Sequence, residues 1–241
     1  HLNFLQNNDA DMIICDYNRF DTAGNLSPVS YRDRLKTNMI YDIETLSQDL
    51  ICDHSHLSYI HMHAITYKTA IFHDNCIRIT EKSFYVDQEY ISYPIPFIRK
   101  IIYQPIFLYH YLIGRPGQSI DAEVCRKRIG MNRNILEHLF QFYKKLDSSN
   151  KCRCYLREIL FHHTFFYFTY TEDSADFQVI LKWWHSEDME LYQFLVSHFS
   201  TSLENRENRL KIVEKVNSSF ILRFLNSIRK KYILTRHQKQ V

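Results

Sequence analysis

Asp87 and Glu89 stand two residues apart ahead of two short apolar runs, and Arg115 follows them in an Arg-Pro-Gly turn. A carboxylate of this kind can take a hydroxyl proton as that oxygen attacks an electrophilic carbon. A guanidinium fixed in a turn can hold a departing phosphate through two hydrogen bonds. His110 and Tyr111 lie on the stretch leading to that turn, while His63 and Lys68 lie upstream. An aspartate at a helix start is expected to keep a low pKa, because the helix dipole favours its ionised form. Such a base works through placement. The plain alternatives are an N-capping role for Asp87 and a solvated turn position for Arg115. Glu89 is the fallback base if the frame slips by two.

The elements that must hold these groups follow from periodicity. Residues 12–20 read as a strand, apolar and then alternating, and residues 21–25 form the turn after it, with Gly24 free to take φ > 0. Ile43, Leu46 and Leu50 share one face of a helix over 42–52. Residues 59–67 alternate enough for a strand, and 68–73 fit a short helix before an Asp-Asn turn. A helix starting near Asp87 is closed by Pro94 and Pro96. Strands are expected at 100–103 and 107–112, broken at Pro105. Beyond Ser119 the spacing is helical at 120–147, 152–170, 175–199 and 206–234. The expected organisation is α/β over 1–119 and all-helical over 120–241.

Composition narrows the chemistry. The chain of 241 residues is long enough to bury a core and carries 17 Tyr and 17 Phe, which suits a wide cleft or docking face. Its glycines are Gly24, Gly114, Gly117 and Gly130, too few and too scattered for a Walker loop or a dinucleotide fingerprint. The net charge of +3 hides a basic end: residues 210–241 hold eight Lys/Arg and one Glu, against 22 and 26 before them. Such an end fits an anionic membrane surface, with Phe220, Phe224 and Ile228 at helical spacing; the same helix can instead cap a core. The six cysteines lack the spacing of a small secreted scaffold, and free thiols in a reducing compartment are expected. No apolar run reaches the ~18–20 residues that span a bilayer.

Two patterns imitate metal sites. Asp9-Ala10-Asp11 spells Asp-x-Asp but precedes a strand and follows a helix, whereas the metal-binding version directly follows a buried strand. The group Cys52, Asp53, His54, His56, His61 and His63 has suitable atoms without the tight pairing that makes zinc motifs specific, and Cys152-x-Cys154 near His162 and His163 is equally weak. No metal ligand is assigned in this chain.

The segment VDQEY followed by LYHYLIGRPGQS resembles the second half of bacterial family-2 glycosyltransferases, where a YED-E-Y segment precedes LYHYLIGR-GQS. DADMIICDYNRFDTAGN is similar to the ADIVICDY…D-NG segment of the same enzymes, and HMHAITYKTAIF to their stretch ahead of the acidic pair; together these cover about residues 1–145. The resemblance implies a GT-A fold, of which this chain would be the C-terminal part, without the nucleotide-binding half and its metal-binding Asp-x-Asp. It implies Asp87 as the catalytic base, with Val86 standing where the family has the first acidic residue. It implies Arg115, helped by His110 and Tyr111, near the diphosphate of a nucleotide-diphospho-sugar donor. A glycan or lipid-linked acceptor would take the sugar with inversion, in cell-surface polysaccharide synthesis at the cytoplasmic face of the membrane. A divalent cation, Mn or Mg, is expected for the intact family.

Two other classes compete. A non-catalytic glycan- or protein-binding remnant is favoured by Val86 and by the missing front half. A nucleic-acid binder using the basic end has no recognisable module to support it, so nucleic acid is not an expected partner.

Overall fold

The computed structural model describes residues 1–52, 59–119, 121–171, 174–189 and 192–193. In chain order these form α1 (Leu2–Asn7), β1 (Met12–Asp21), β2 (Leu26–Val29), β3 (Ile40–Tyr41), α2 (Ile43–Cys52), a 3-10 turn (Met62–Ala64), β4 (Ile65–Tyr67), α3 (Ala70–Asp74), α4 (Asp87–Ser92), a second 3-10 turn (Ile95–Phe97), β5 (Ile101–Ile113), α5 (Ala122–Lys127), α6 (Ile129–Lys145), α7 (Cys152–Tyr170) and α8 (Ser174–Glu187). The expected helix at 206–234 and the basic end at 210–241 lie outside the described residues.

The sheet is mixed, in the order β2-β1-β5-β3, with β4 also on β1. β1 and β5 run parallel at its centre, and β4 and β2 pair antiparallel with the inner and outer halves of the same β1 edge. Met12, Ile13, Ile14 and Cys15 are almost wholly buried, as are Ile101, Ile102 and Tyr103 opposite them. A strand covered on both faces reads as a continuous apolar run, and MIIC does.

Pro105 does not break β5 in two, contrary to the sequence expectation; one strand runs from Ile101 to Ile113. The irregularity is taken up in pairing. Between Cys15↔Gln104 and Tyr17↔Tyr109, β5 advances five residues while β1 advances two. Proline has no N–H to give the ladder, so the strand bulges past it. The bulge sets Tyr17 beside Tyr109 and Arg19 beside Tyr111, on one face of the sheet. The stretch at 59–67 is a strand only from Ile65, because residues 62–64 coil into a 3-10 turn.

Residues 1–50 and 59–170 form one compact unit, and 51–58 with 171–241 belong to another. Among the described residues every element after 120 is a helix, and α5, α6 and α7 share the unit of the sheet. The expected helix over 120–147 is two: Asp121 caps α5 by accepting from the amides of Glu123 and Val124, and the chain bends at Arg128 before α6. α6 buries Ile135, Leu136, Leu139, Phe140 and Tyr143, one helical stripe. α7 spans the expected 152–170 and is buried along most of its length, packing on α6 and reaching α4. In the second unit, α8 buries Ile180, Leu181 and Trp184.

Candidate functional site

α4 opens at Asp87, after Tyr85 in the left-handed region at φ 66° and after Val86, which gives no side-chain cap. A bulky residue at positive φ is strained, and surrounding contacts hold it: the Tyr85 ring lies 5.6 Å from that of Phe166 and its hydroxyl donates to the Ser119 carbonyl. Asp87 is half-buried and accepts from Gln88 Nε2 at 3.0 Å. Burial raises its pKa above the ordinary carboxylate value, more than the Gln88 amide and the first-turn N–H groups lower it. The low pKa expected from the helix start is therefore corrected; desolvation wins over the dipole. The consequence is a stronger base, and no Lys or Arg among the described residues pairs with it.

Glu89, two residues on, is 1% exposed and fully engaged. Its carboxylate accepts from the Thr80 amide (2.7 Å), the Thr80 hydroxyl (2.8 Å), the Tyr93 hydroxyl (3.1 Å) and His138 Nδ1 (3.1 Å). A carboxylate tied by four donors pins the 80–93 segment to α6 and has no freedom to serve as a base.

Facing the α4 start, the outer halves of β1 and β5 present Tyr17, Arg19, Tyr109 and Tyr111 on one side. His63, brought over by the 3-10 turn, stacks on Tyr109 at 5.1 Å and 10°, and its ring centre is 4.2 Å from that of Tyr111 and 5.3 Å from that of Tyr17. His61 and Tyr59 extend the cluster, their rings 4.9 Å apart, and Tyr59 meets His162 of α7 at 5.3 Å. Arg19 donates from Nη2 to the Tyr17 hydroxyl at 3.1 Å. Burial lowers the pKa of His61 to about 3 and those of His63 and His162 to about 4, with the Arg19 charge adding to the first two. All three rings are neutral at pH 7. Tyr59 and Tyr111 feel both the negative charge of Asp87 and the positive charge of Arg19, so the carboxylate and the guanidinium flank the same two hydroxyls.

Of the residues singled out in the sequence, Asp87, His63 and Tyr111 thus come together. His110 faces the other side of β5, edge-on to Phe20 at 6.4 Å. Arg115 is exposed, in a turn whose base is tied down by Gln118 donating to the Tyr111 hydroxyl and the Leu112 carbonyl. Asp87 is half-buried with tyrosine neighbours, and Arg115 is exposed to solvent. Arg19 is the guanidinium beside the carboxylate's neighbours. Lys68 pairs with Asp9 at 2.7 Å on the rim of a separate cavity of about 280 Å³ lined also by Leu5, Gln6, Thr66 and Tyr67.

The Asp9-Ala10-Asp11 motif is spent on other partners. Asp9 holds Lys68, and Asp11 accepts from the amides of Arg99 and Lys100 at 2.8 and 3.0 Å. Among the described residues no three His, Cys, Asp or Glu side chains gather as a metal would need. The cysteines at 15, 76, 125, 152 and 154 are free, and Cys152 donates to the Ile95 carbonyl. The side chains of 52–56 lie outside the described residues. No described helix is long and apolar enough to cross a membrane.

Two charged residues escaped sequence reasoning. Arg19 alternates with Tyr17 on β1, and its match to Tyr111 depends on the β5 bulge. Asp16 is fully buried and accepts from Ser30 Oγ (3.0 Å), the Tyr31 amide (3.0 Å) and the Tyr103 hydroxyl (2.7 Å), with Arg32 Nε at 3.4 Å. A charge inside an apolar strand was the available signal; it marks a structural anchor for the 30–32 loop. No family model, curated protein or solved structure matches this chain.

Proposed function

We propose that this chain carries the acceptor half of an inverting, family-2-like glycosyltransferase of GT-A type, with Asp87 as the base. The observation that carries the reading is the Asp87 carboxylate: half-buried, raised in pKa, without a cationic partner, and set beside a floor of phenols and neutral imidazoles. A parallel β1/β5 pair with an antiparallel β4, in an α/β unit, is compatible with that fold.

In the reaction, the acceptor hydroxyl gives its proton to Asp87 as its oxygen bonds to the anomeric carbon. The bond from that carbon to the donor's diphosphate breaks, and the diphosphate leaves with the electron pair. Tyr111 and His63 would line the acceptor side. The nucleotide-diphospho-sugar, the divalent cation and most of the donor site would belong to the nucleotide-binding half that the resemblance implies for the family. Its product would be a glycan or lipid-linked sugar at the inner membrane face, where the 210–241 segment would meet anionic lipid.

A second reading, a glycan-binding remnant without catalysis, is favoured by Val86, which leaves Asp87 without the acidic neighbour of the family. The two separate in one assay: the intact protein is supplied with a panel of nucleotide sugars, and nucleotide release is followed. Release that depends on added acceptor supports the transferase; glycan binding without release supports the remnant.

A further inference from the structure

We infer that the sheet face around Arg19 binds a sugar carrying a negative charge, a carboxylate or a phosphate on a pyranose ring. This rests on the glycan-directed reading above and adds the class of sugar. Arg19 is half-buried and its only described polar contact is the neutral Tyr17 hydroxyl; no described carboxylate pairs with it. A half-buried guanidinium beside phenols and neutral imidazoles is stabilised by an incoming anion, to which it offers a planar fork of N–H donors. Asp87 cannot serve as that anion if it is to stay free as a base.

The surroundings select a ring as well as a charge. Tyr109 is 47% exposed, with His63 stacked against it, so an aromatic surface lies open one strand away from Arg19. The electron-rich face of a phenol attracts the C–H face of a pyranose, much as it attracts other positive edges. The buried Nδ1 of His63 has no hydrogen-bond partner, and the neutral ring can give or accept one bond with a sugar hydroxyl. The guanidinium of Arg19 on β1 lies one same-face step from the phenol of Tyr109 on β5, and the imidazole of His63 is brought onto that phenol by the 3-10 turn.

The test is an NMR titration of the full 241-residue chain with glucuronate, glucose 1-phosphate, glucose and inorganic phosphate. At least one of the two sugar anions should bind at least about tenfold more tightly than glucose and than phosphate, the worth of a charge-assisted contact. Preference for glucuronate alone identifies a uronate, and preference for glucose 1-phosphate alone a phosphosugar. Arg19→Gln should bring the preferred anion to within about twofold of glucose, and Tyr109→Ala should weaken the preferred anion and glucose together. In the wild-type chain the Arg19 Nε–Hε signal should shift on binding, a readout that needs no variant to fold. Equal binding of glucose and the sugar anions, binding that leaves the Arg19 signal unmoved, or no saturable binding overturns the inference. Sugar-anion binding can hold while nucleotide release fails, and release can occur with a neutral acceptor, so the two readings fail separately.

Discussion

Asp87 and Glu89 lie two residues apart at the start of α4, and only one of them is free: Glu89 is held by four hydrogen-bond donors, Asp87 by the neighbouring Gln88 amide. Two residues on a helix are ~200° apart, so the pair necessarily looks in different directions. Glu89 faces the packing against α6, and Asp87 the neighbourhood of Tyr59 and Tyr111.

Glu89→Ala should therefore destabilise the fold, by about 3 kcal/mol, because it leaves the Thr80 amide and the Tyr93 hydroxyl without their buried acceptor. Urea denaturation followed by circular dichroism measures it. A loss below about 1 kcal/mol would mean that water replaces the carboxylate at little cost.

Tyr103→Phe removes the 2.7 Å bond to the buried Asp16 carboxylate and should cost about 2 kcal/mol. Arg115→Ala, in an exposed turn, should stay within about 0.5 kcal/mol of the parent. The same denaturation experiment compares them, and the reverse order would contradict the assigned burial.

The histidine cluster sets a pH window. His61, His63 and His162 have folded pKa values near 3, 4 and 4, below the ordinary imidazole value of about 6.5. The unfolded chain binds more protons there, so their contribution is complete above about pH 6.5 and is lost as pH falls toward 4. Asp87 works in the opposite sense: its raised folded pKa gives stability that is present below the unfolded value and lost as pH rises through the folded one. The denaturation midpoint should thus fall between pH 7 and pH 5, and His63→Phe should flatten that fall.

Much of this was legible in the sequence. The buried run MIIC and the long apolar helix at 152–170 announce themselves by composition, and Asp87 at a helix start follows from its Pro-closed segment. What was not legible depends on pairing across distance. Arg19 meets Tyr111 only because β5 bulges by three residues past Pro105, and no local pattern encodes how a strand absorbs a proline. The role of Glu89 was hidden for the same reason, since its partners at Thr80 and His138 are 9 and 49 residues away. The pKa of Asp87 was misjudged because the dipole is a property of the helix and burial a property of the tertiary fold.

Nucleotide-sugar turnover by the Asp87→Asn variant of the intact protein bears most directly on the role of the carboxylate. A general base contributes ~10²–10⁴-fold, so turnover should fall by at least about a hundredfold while the denaturation midpoint at pH 7 stays level or rises, the buried charge having been removed. Turnover within a few-fold of the parent, with the fold intact, would contradict Asp87 as the base.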